Sequence, residues 1–163
     1  MTMSPQDEKL ESQTVTLPWP PSANHYWRHV ELPLGGKRCP VCKKGKTRVA
    51  TLLSADGRQW LVDVGRLLYE AGVKPMYGAL FVDVVLHPPT LAAIDIDNRL
   101  KPLLDALKRR PKDDKQVAWL FAVDDSQVKR LAVEKAVVIK GGRCIVTVTQ
   151  LPEPQLVLPG IER

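Results

Sequence analysis

A strongly apolar segment at 79–87, ALFVDVVLH, ends at Pro88 and Pro89 and constrains the middle of the fold. Its length and its β-branched and aromatic residues are typical of a β-strand. Proline lacks the N–H that a strand ladder needs, so the strand should end at the proline pair. A different period follows, with leucines at i, i+3, i+4 and i+7, which predicts a helix: Leu100, Leu103, Leu104 and Leu107.

Pro102 limits where this helix can begin. A proline is tolerated in the first turn of a helix, where its missing N–H has no intrahelical partner. We therefore expect the helix to start near residues 98–101 and to end before Pro111. A second amphipathic pattern predicts a helix over 55–72, with Ser54 as its N-cap.

Further strands are predicted at 13–19, 131–139 and 143–150, and Gly141-Gly142 favours an antiparallel hairpin of the last two. The PPSANHYWRH stretch is predicted to be a loop, and 32–50 an inserted loop or small hairpin. The fold class is α+β: one small domain over 13–150, with a mixed sheet of about four strands and two helices. A disordered lead-in is expected at 1–12, and an irregular tail at 151–163. The strand order stays open.

The overall composition is that of an ordinary globular protein with a basic charge. The 163 residues suit one domain, and no apolar run is long enough to span a membrane. The polar start lacks the features of a signal peptide, so a cytoplasmic location is expected. The net charge of +6 is a modest pointer to nucleic acid.

Asp95 and Asp97 stand one residue apart in IDIDNRLK, just before the leucine pattern. If this stretch is extended, both carboxylates point to one side and repel each other unless a cation lies between them. Mg²⁺ prefers such hard oxygen ligands. The plainer alternative is that Asp97 caps the helix and Asp95 is a solvated loop acid. Lys101 lies one helical turn past Asp97, and Asp124-Asp125 form a second acidic pair.

Four motifs in this order resemble the RusA family of Holliday junction resolvases: TLPWPPSANHYWR at 16–28, DIDNRLKPLLDAL at 95–107, VDDSQV at 123–128 and KGGR at 140–143. The resemblance implies a small, homodimeric, Mg²⁺-dependent endonuclease, with Mn²⁺ as a substitute, that cuts four-way DNA junctions. It also implies work in recombination and repair, or in prophage DNA processing.

The resemblance assigns roles to individual residues. It implies that Asp95, Asp97 and Asp125 bind the metal and that Lys101 is catalytic. Asp124 cannot be separated from Asp125 by sequence. Asp105 also falls on a family position, although a structural role inside the helix is an equal alternative.

DNA contacts are harder to place, because 88–94 carries no charge where some family members have a basic run. The candidates come from the first loop and from the leucine helix with its exit: Asn24, Tyr26, Arg28, Arg99, Lys108, Arg109 and Arg110. Tyr26 and Trp27 beside Arg28 could stack on an unpaired base, or they could belong to the core or a dimer contact.

The insert contains CPVCKKG, in which Cys39 and Cys42 are candidate ligands of a structural Zn²⁺. A closed zinc site needs four ligands, so this pair supplies half of them. His25 and His29 could complete it, a partner subunit's cysteine pair could complete it, or the pair binds no metal. Cys144 alternates with apolar residues in a strand and is expected in the core.

Two other functions stay open beside the junction resolvase. One is a non-catalytic nucleic-acid-binding protein that uses the insert at 32–50, whose CPVCKKG stretch resembles a zinc knuckle. The other is a nuclease with a broader range of branched DNA substrates. Three outward carboxylates would hinder a pure DNA binder unless a metal were present, which favours the enzyme.

Overall fold

The computed structural model describes residues 10–36, 38–42, 45, 47–92, 94–108 and 117–152. Arg109, Arg110, most of the lead-in (1–9) and most of the tail (153–163) lie outside the described residues. The strands are β1 (Ser12–Pro18), β2 (Trp27–Pro33), β3 (Thr47–Leu53), β4 (Leu80–His87), β5 (Val128–Lys135) and β6 (Arg143–Gln150). The helices are α1 (Ala23–Tyr26), α2 (Ala55–Glu70) and α3 (Asp97–Leu107), and a 3₁₀ turn covers Asp125–Gln127.

The main sheet is mixed, with the order β1-β6-β4-β5. Strand β6 pairs antiparallel with both β1 and β4, while β4 and β5 are parallel. A parallel pair needs a long crossover, and here it contains α3 and the 3₁₀ turn. The predicted α+β class with a mixed four-stranded sheet is confirmed.

The predicted hairpin of the last two strands is wrong, because β4 lies between β5 and β6. Gly141 and Gly142 do adopt positive φ angles of 84° and 65°, so the chain turns there as expected. The turn delivers β6 to the other side of β4. Burial explains this order, since β4 has four side chains at 1% exposure or less and gains most from pairing on both edges.

The core lies between one face of this sheet and the helices α2 and α3. Strand β4 contributes alternate residues such as Val82 and Val84, α2 contributes Val64 and Leu68, and α3 contributes Leu103. In β4 every second side chain is buried, and in α2 and α3 the buried side chains follow helical spacing, as predicted. Cys144 is fully buried in the same core, as expected.

Helix α3 begins one residue earlier than the predicted range, and Pro102 is its sixth residue. The expectation that Pro102 occupies the first turn is therefore wrong. Its missing N–H costs the helix the bond to the carbonyl of Asn98. Burial compensates, because Pro102 is enclosed and its carbonyl accepts a bond from the Trp60 indole at 3.3 Å.

Two elements lie where a loop was predicted for the PPSANHYWRH stretch at 20–29. Ser22 caps the short helix α1, and β2 follows at once and pairs with β3 as a separate antiparallel hairpin. The insert at 32–50 thus includes parts of both strands and the connection between them, which agrees with the hairpin alternative. The cap of α2 is also as predicted, because Ser54 Oγ accepts from the Gly57 amide at 2.9 Å. None of the described helices is long and apolar enough to cross a membrane.

Candidate active site

The two acids Asp95 and Asp97 lie at the N-terminal end of α3. Ile96 between them has helical angles (φ −65°, ψ −45°), so the extended geometry expected from the sequence does not occur. Asp97 is the first helical residue, and no side chain caps this end. Asp95 is exposed, and its Oδ2 accepts a hydrogen bond from the side-chain amide of Asn98 (Nδ2) at 3.3 Å. Both carboxylates therefore face solvent beside the positive end of a helix.

The segment that carries the second acidic pair returns alongside α3. The amides of Leu120 and Phe121 both donate to the carbonyl of Leu107, at 2.8 and 2.9 Å. Buried Gln127 then fixes the following turn, because its side chain accepts from Val123 N at 2.7 Å and donates to the carbonyls of Met76 and Gly78. These bonds hold residues 124–127 next to α3, which sequence spacing could not show.

The structure separates the roles of Asp124 and Asp125. Asp124 caps the 3₁₀ turn, since its side chain accepts from the Ser126 backbone N–H at 2.8 Å. Hydrogen bonds from the Ser126 side chain and from this N–H lower the pKa of Asp124. The carboxylate of Asp125 instead lies 3.5 Å from the Lys101 ammonium. Asp125 is therefore the member of the pair that faces α3.

Lys101 is held by a buried carboxylate one turn further along α3. Its ammonium lies 2.9 Å from Asp105 Oδ1, and the Lys108 ammonium lies 2.7 Å from the same oxygen. The Asp105 side chain is only 7% exposed, whereas that of Lys101 is 51% exposed. The hydrogen bond with Asp105 raises the pKa of Lys101, the charges of Asp105 and Asp125 add to this, and partial burial opposes it. Lys101 is thus a fixed cation next to Asp125.

Asp105 and Lys108 are the residues whose joint role the sequence reasoning missed. The signal was present, because Lys101, Asp105 and Lys108 have i, i+4 and i, i+3 spacing on one helix. Spacing alone could not show that Asp105 is buried. Lys108 was assigned to DNA contact, but its ammonium is engaged with Asp105.

The donor chemistry of the site fits Mg²⁺. Asp95 and Asp97 at the start of α3 and Asp125 beside its fifth residue carry carboxylate oxygens, the donor type that Mg²⁺ prefers. Across the described ranges, no three or more His, Cys, Asp and Glu side chains are grouped closely enough to enclose a metal ion. Mg²⁺ is typically held by one or two carboxylates together with waters and phosphate oxygens, so an open acidic site is compatible with it.

The side chain of Arg99, which was predicted to contact DNA, instead makes contacts within the protein. Its Nη1 donates to the Pro20 carbonyl at 2.9 Å, and its guanidinium lies 5.3 Å from the centre of the Trp19 ring. Nε is buried without a hydrogen-bond partner among the described residues. Burial lowers the pKa of Arg99 below its ordinary value. Arg99 therefore fastens the chain at 18–22 to the first turn of α3.

The first-loop candidates for DNA contact divide into two groups. Tyr26 is 1% exposed and belongs to the core, so its predicted stacking on DNA is wrong. It meets α2 so closely that a Cβ on Gly57 would lie 2.8 Å from its carbonyl oxygen. Asn24 and Arg28 are exposed and Trp27 is half-buried. These three side chains are accessible enough to contact a ligand.

The cysteine pair lies in the turn between β2 and β3, and both thiols are exposed. Backbone N–H groups of Cys42 and Val41 and the Cys42 side chain bond to Cys39 and lower its pKa. The pairing of β2 with β3 ends at Pro33 and Thr47, next to the turn that carries the cysteines. His29 lies four residues before Pro33 in β2, which is about 13 Å along the strand. The zinc site completed by His25 and His29 is therefore not formed in the described chain.

Comparison with known proteins identifies the family to which this chain belongs. The model of a family described as Endodeoxyribonuclease RusA matches residues 18–149. That range contains both acidic segments, Lys101 and the β2–β3 hairpin. The chain belongs to the RusA endodeoxyribonuclease family.

Curated relatives agree with this family. The chain is similar to the crossover junction endodeoxyribonuclease RusA of Escherichia coli strain K12, with 32% identity over 143 residues that cover 87% of this chain and 98% of the relative. It has the same coverage with the Shigella sonnei (strain Ss046) protein of that name, at 31% identity. The protein of that name from Enterobacteria phage 82 is 32% identical over 144 residues, again covering 87% and 98%.

Proposed function

We propose that this protein is a Mg²⁺-dependent DNA endonuclease that resolves four-way junctions by paired phosphodiester hydrolysis. The observation that carries the proposal is the contact between Asp125 and Lys101, which lie on different segments of the chain. Lys101 is one helical turn from Asp97, at the end of α3 that carries Asp95 and Asp97. A cation next to outward carboxylates suits a phosphate group whose negative charge grows during reaction. The family and the names of its curated relatives support the same activity.

In this proposal Asp95, Asp97 and Asp125 hold the metal ion, and the Asn98 amide orients Asp95. Bound by these residues, Mg²⁺ would supply Lewis-acid polarisation of the phosphate and would lower the pKa of a water. Lys101 donates its N–H groups to the phosphate oxygens as charge develops. Asp105 keeps the ammonium in place and protonated through a bond of 2.9 Å. A preorganised donor of this kind contributes about 3 kcal/mol, or roughly a hundredfold in rate.

The acids also favour an enzyme over a pure DNA binder. Asp95 and Asp97 are exposed, and Asp125 is 38% exposed, so without a metal they repel phosphate. The net charge of +6 must then supply the attraction from elsewhere on the surface. In a protein that only bound DNA, this repulsion between carboxylates and phosphates would weaken binding without any benefit.

We further propose that two subunits act together on one junction. Resolution needs two cuts at symmetry-related positions, which a two-fold dimer provides. The sheet face opposite α2 and α3 carries half-buried apolar side chains, including Phe81, Val85 and Ile145, and this supports a subunit contact there. The phage relative supports a role in phage or prophage DNA processing, and a DNA substrate supports a cytoplasmic location.

The exposed cysteine pair supports a zinc site shared between the two subunits. Each chain offers Cys39 and Cys42 from an exposed turn, and two such turns provide four thiolates. Cys144 is buried in the core and cannot join them. One Zn²⁺ per dimer is the stoichiometry that follows.

One assay tests the central proposal. Purified protein is incubated with a synthetic four-way junction, a replication-fork analogue and a linear duplex of matched sequence, each with and without Mg²⁺. We expect symmetric cuts in the junction only when Mg²⁺ is present. Equal cutting of fork and junction would favour the broader branched-DNA nuclease, and tight binding without any cleavage would favour the non-catalytic binder.

A further inference from the structure

A cavity of about 650 Å³ opens between α1 and the β2–β3 hairpin. Its lining is chemically mixed, with one alanine, one large aromatic ring and four polar side chains: Ala23, Trp27, Asn24, Arg28, His29 and Thr51. No residue proposed for catalysis lines it. The cavity therefore needs its own explanation.

The ring and the polar groups are held in defined positions. Tyr26 contacts Trp27 edge to face, with ring centres 5.0 Å apart and planes at 82°, and Tyr26 itself is buried. Thr51 Oγ1 lies 3.1 Å from His29 Nδ1, which fixes the imidazole at the cavity wall. The side chains of Asn24 and Arg28 make no hydrogen bond or ion pair with the other described residues.

The cavity is also tied to the catalytic end of α3. Ser22 caps α1, and two residues earlier the Pro20 carbonyl accepts from Arg99, which lies two residues after Asp97. Trp19 packs under the same guanidinium. Helix α1 also contacts α3 directly, so the cavity wall and the acids belong to one packed region of the structure.

We propose that this cavity receives an unstacked nucleobase at the crossover of the branched DNA, with Trp27 stacking on the base and Asn24 bonding to its edge. The inference rests on the proposed function. Bases in a continuous duplex are stacked and paired, and extracting one costs a few kcal/mol, whereas an unpaired base is extracted most easily. An aromatic surface binds any base, and the donor and acceptor of an amide add a preference among bases. The cavity therefore favours branched DNA with an extractable base at the crossover over a continuous duplex.

Fluorescence of 2-aminopurine tests this directly. One junction carries the analogue at the crossover, and a matched junction carries it in the middle of an arm. Both are titrated with wild-type protein and with Trp27→Ala, Trp27→Phe, Asn24→Ala and Arg28→Ala in buffer without divalent metal, which prevents cutting. Affinity for a linear duplex is measured in parallel, and circular dichroism melting checks that each variant is folded.

We expect the crossover probe, and not the arm probe, to change intensity on binding the wild-type protein. Trp27→Ala should lose that change and weaken junction binding by roughly 5- to 150-fold, while duplex affinity stays nearly constant. Trp27→Phe should keep most of the signal, and Asn24→Ala should alter the preference among bases at the crossover. Arg28→Ala should weaken junction and duplex together, as a phosphate contact would.

Equal junction affinity and an unchanged probe signal in both Trp27→Ala and Asn24→Ala would overturn the inference. So would an equal loss of junction and duplex binding in Trp27→Ala, which would indicate a general contact or a partner protein's site. If Trp27→Ala fails to fold, Trp27→Phe and Asn24→Ala decide alone. Cleavage of the same junction by wild-type protein with Mg²⁺ is scored separately, so the loss of nuclease activity and the loss of the base site remain distinguishable.

Discussion

Lys101 Nζ lies 3.5 Å from Asp125 Oδ2, although 23 residues separate them in the chain. The ammonium also donates to Asp105, so one cation links the buried interior of α3 to an acid on a different segment. This arrangement places a fixed positive charge where a substrate phosphate would meet the acidic site. It also predicts different consequences for each of the three residues.

Substitution of Asp95, Asp97 or Asp125 by Asn should abolish Mg²⁺-dependent cleavage of a four-way junction. Each change removes a charged oxygen ligand that Mg²⁺ needs, while the size of the side chain is retained. Junction binding should survive or tighten, because each variant carries one negative charge fewer towards phosphate. Cleavage rates and gel-shift affinities measured on the same preparations check both expectations.

Asp124→Asn is the matched control for Asp125→Asn. Asn is as good a cap as Asp, so the bond from the Ser126 amide should persist and cleavage should stay close to wild type. An inactive Asp124→Asn beside an active Asp125→Asn would show that the metal is held by the other member of the pair.

Lys101→Ala should slow turnover by roughly a hundredfold, while the affinities for Mg²⁺ and for the junction change little. The reason is that the lost donor acts mainly on charge that develops in the transition state. Single-turnover kinetics with saturating protein measure the chemical step. Wild-type turnover in this variant would remove Lys101 from the mechanism.

Asp105→Asn should reduce turnover by about tenfold with little effect on KM, because a neutral amide replaces the charge-assisted bond that orients Lys101. Lys108→Ala is the companion variant, since it removes the other ammonium from the same carboxylate and leaves Lys101 bound. Its turnover should fall less. If Lys108→Ala slowed the reaction as much as Asp105→Asn, general disturbance of α3 would explain both.

The three thiols should differ sharply in reactivity. After treatment with a chelator, alkylation of the folded protein at pH 7 to 9 should modify exposed Cys39 and Cys42 and spare Cys144. Burial raises the pKa of Cys144 to about 12, so the reactive thiolate is scarce throughout this range and becomes available only well above it or after unfolding. Mass spectrometry of native and denatured samples counts the modified sites. Rapid native labelling of Cys144 would contradict the described core.

Light scattering should return a dimer of the 18.2 kDa chain at micromolar concentration. If the cysteine turns share a metal, elemental measurement should find about one zinc per dimer, and the double variant Cys39→Ser with Cys42→Ser should contain none. One zinc per monomer would contradict the shared site. A monomer that resolves junctions would contradict the dimer itself.

Sequence periodicity was sufficient for the elements whose faces are set by burial. The alternation in β4 and the leucine spacing in α3 predicted a strand and a helix, because a side chain's direction follows from its position in either element. The Ser54 cap was equally local, since it depends on one hydroxyl and an amide three residues later. The exposed acids and Lys101 also stood out through residue type and spacing.

Tertiary structure decided what depends on contacts between distant segments. The place of β4 between β5 and β6 follows from the burial of a whole strand, which a glycine turn cannot reveal. Tyr26 and Trp27 are adjacent aromatic residues, yet packing of α2 buries one and leaves the other at a cavity. Asp125 became distinct from Asp124 only because hydrogen bonds made by the Gln127 side chain and accepted by the Leu107 carbonyl bring that turn to Lys101. The sequence by itself determined which side chains carry chemistry, and long-range packing determined which of them meet, because local patterns fix direction along an element but not distance between elements.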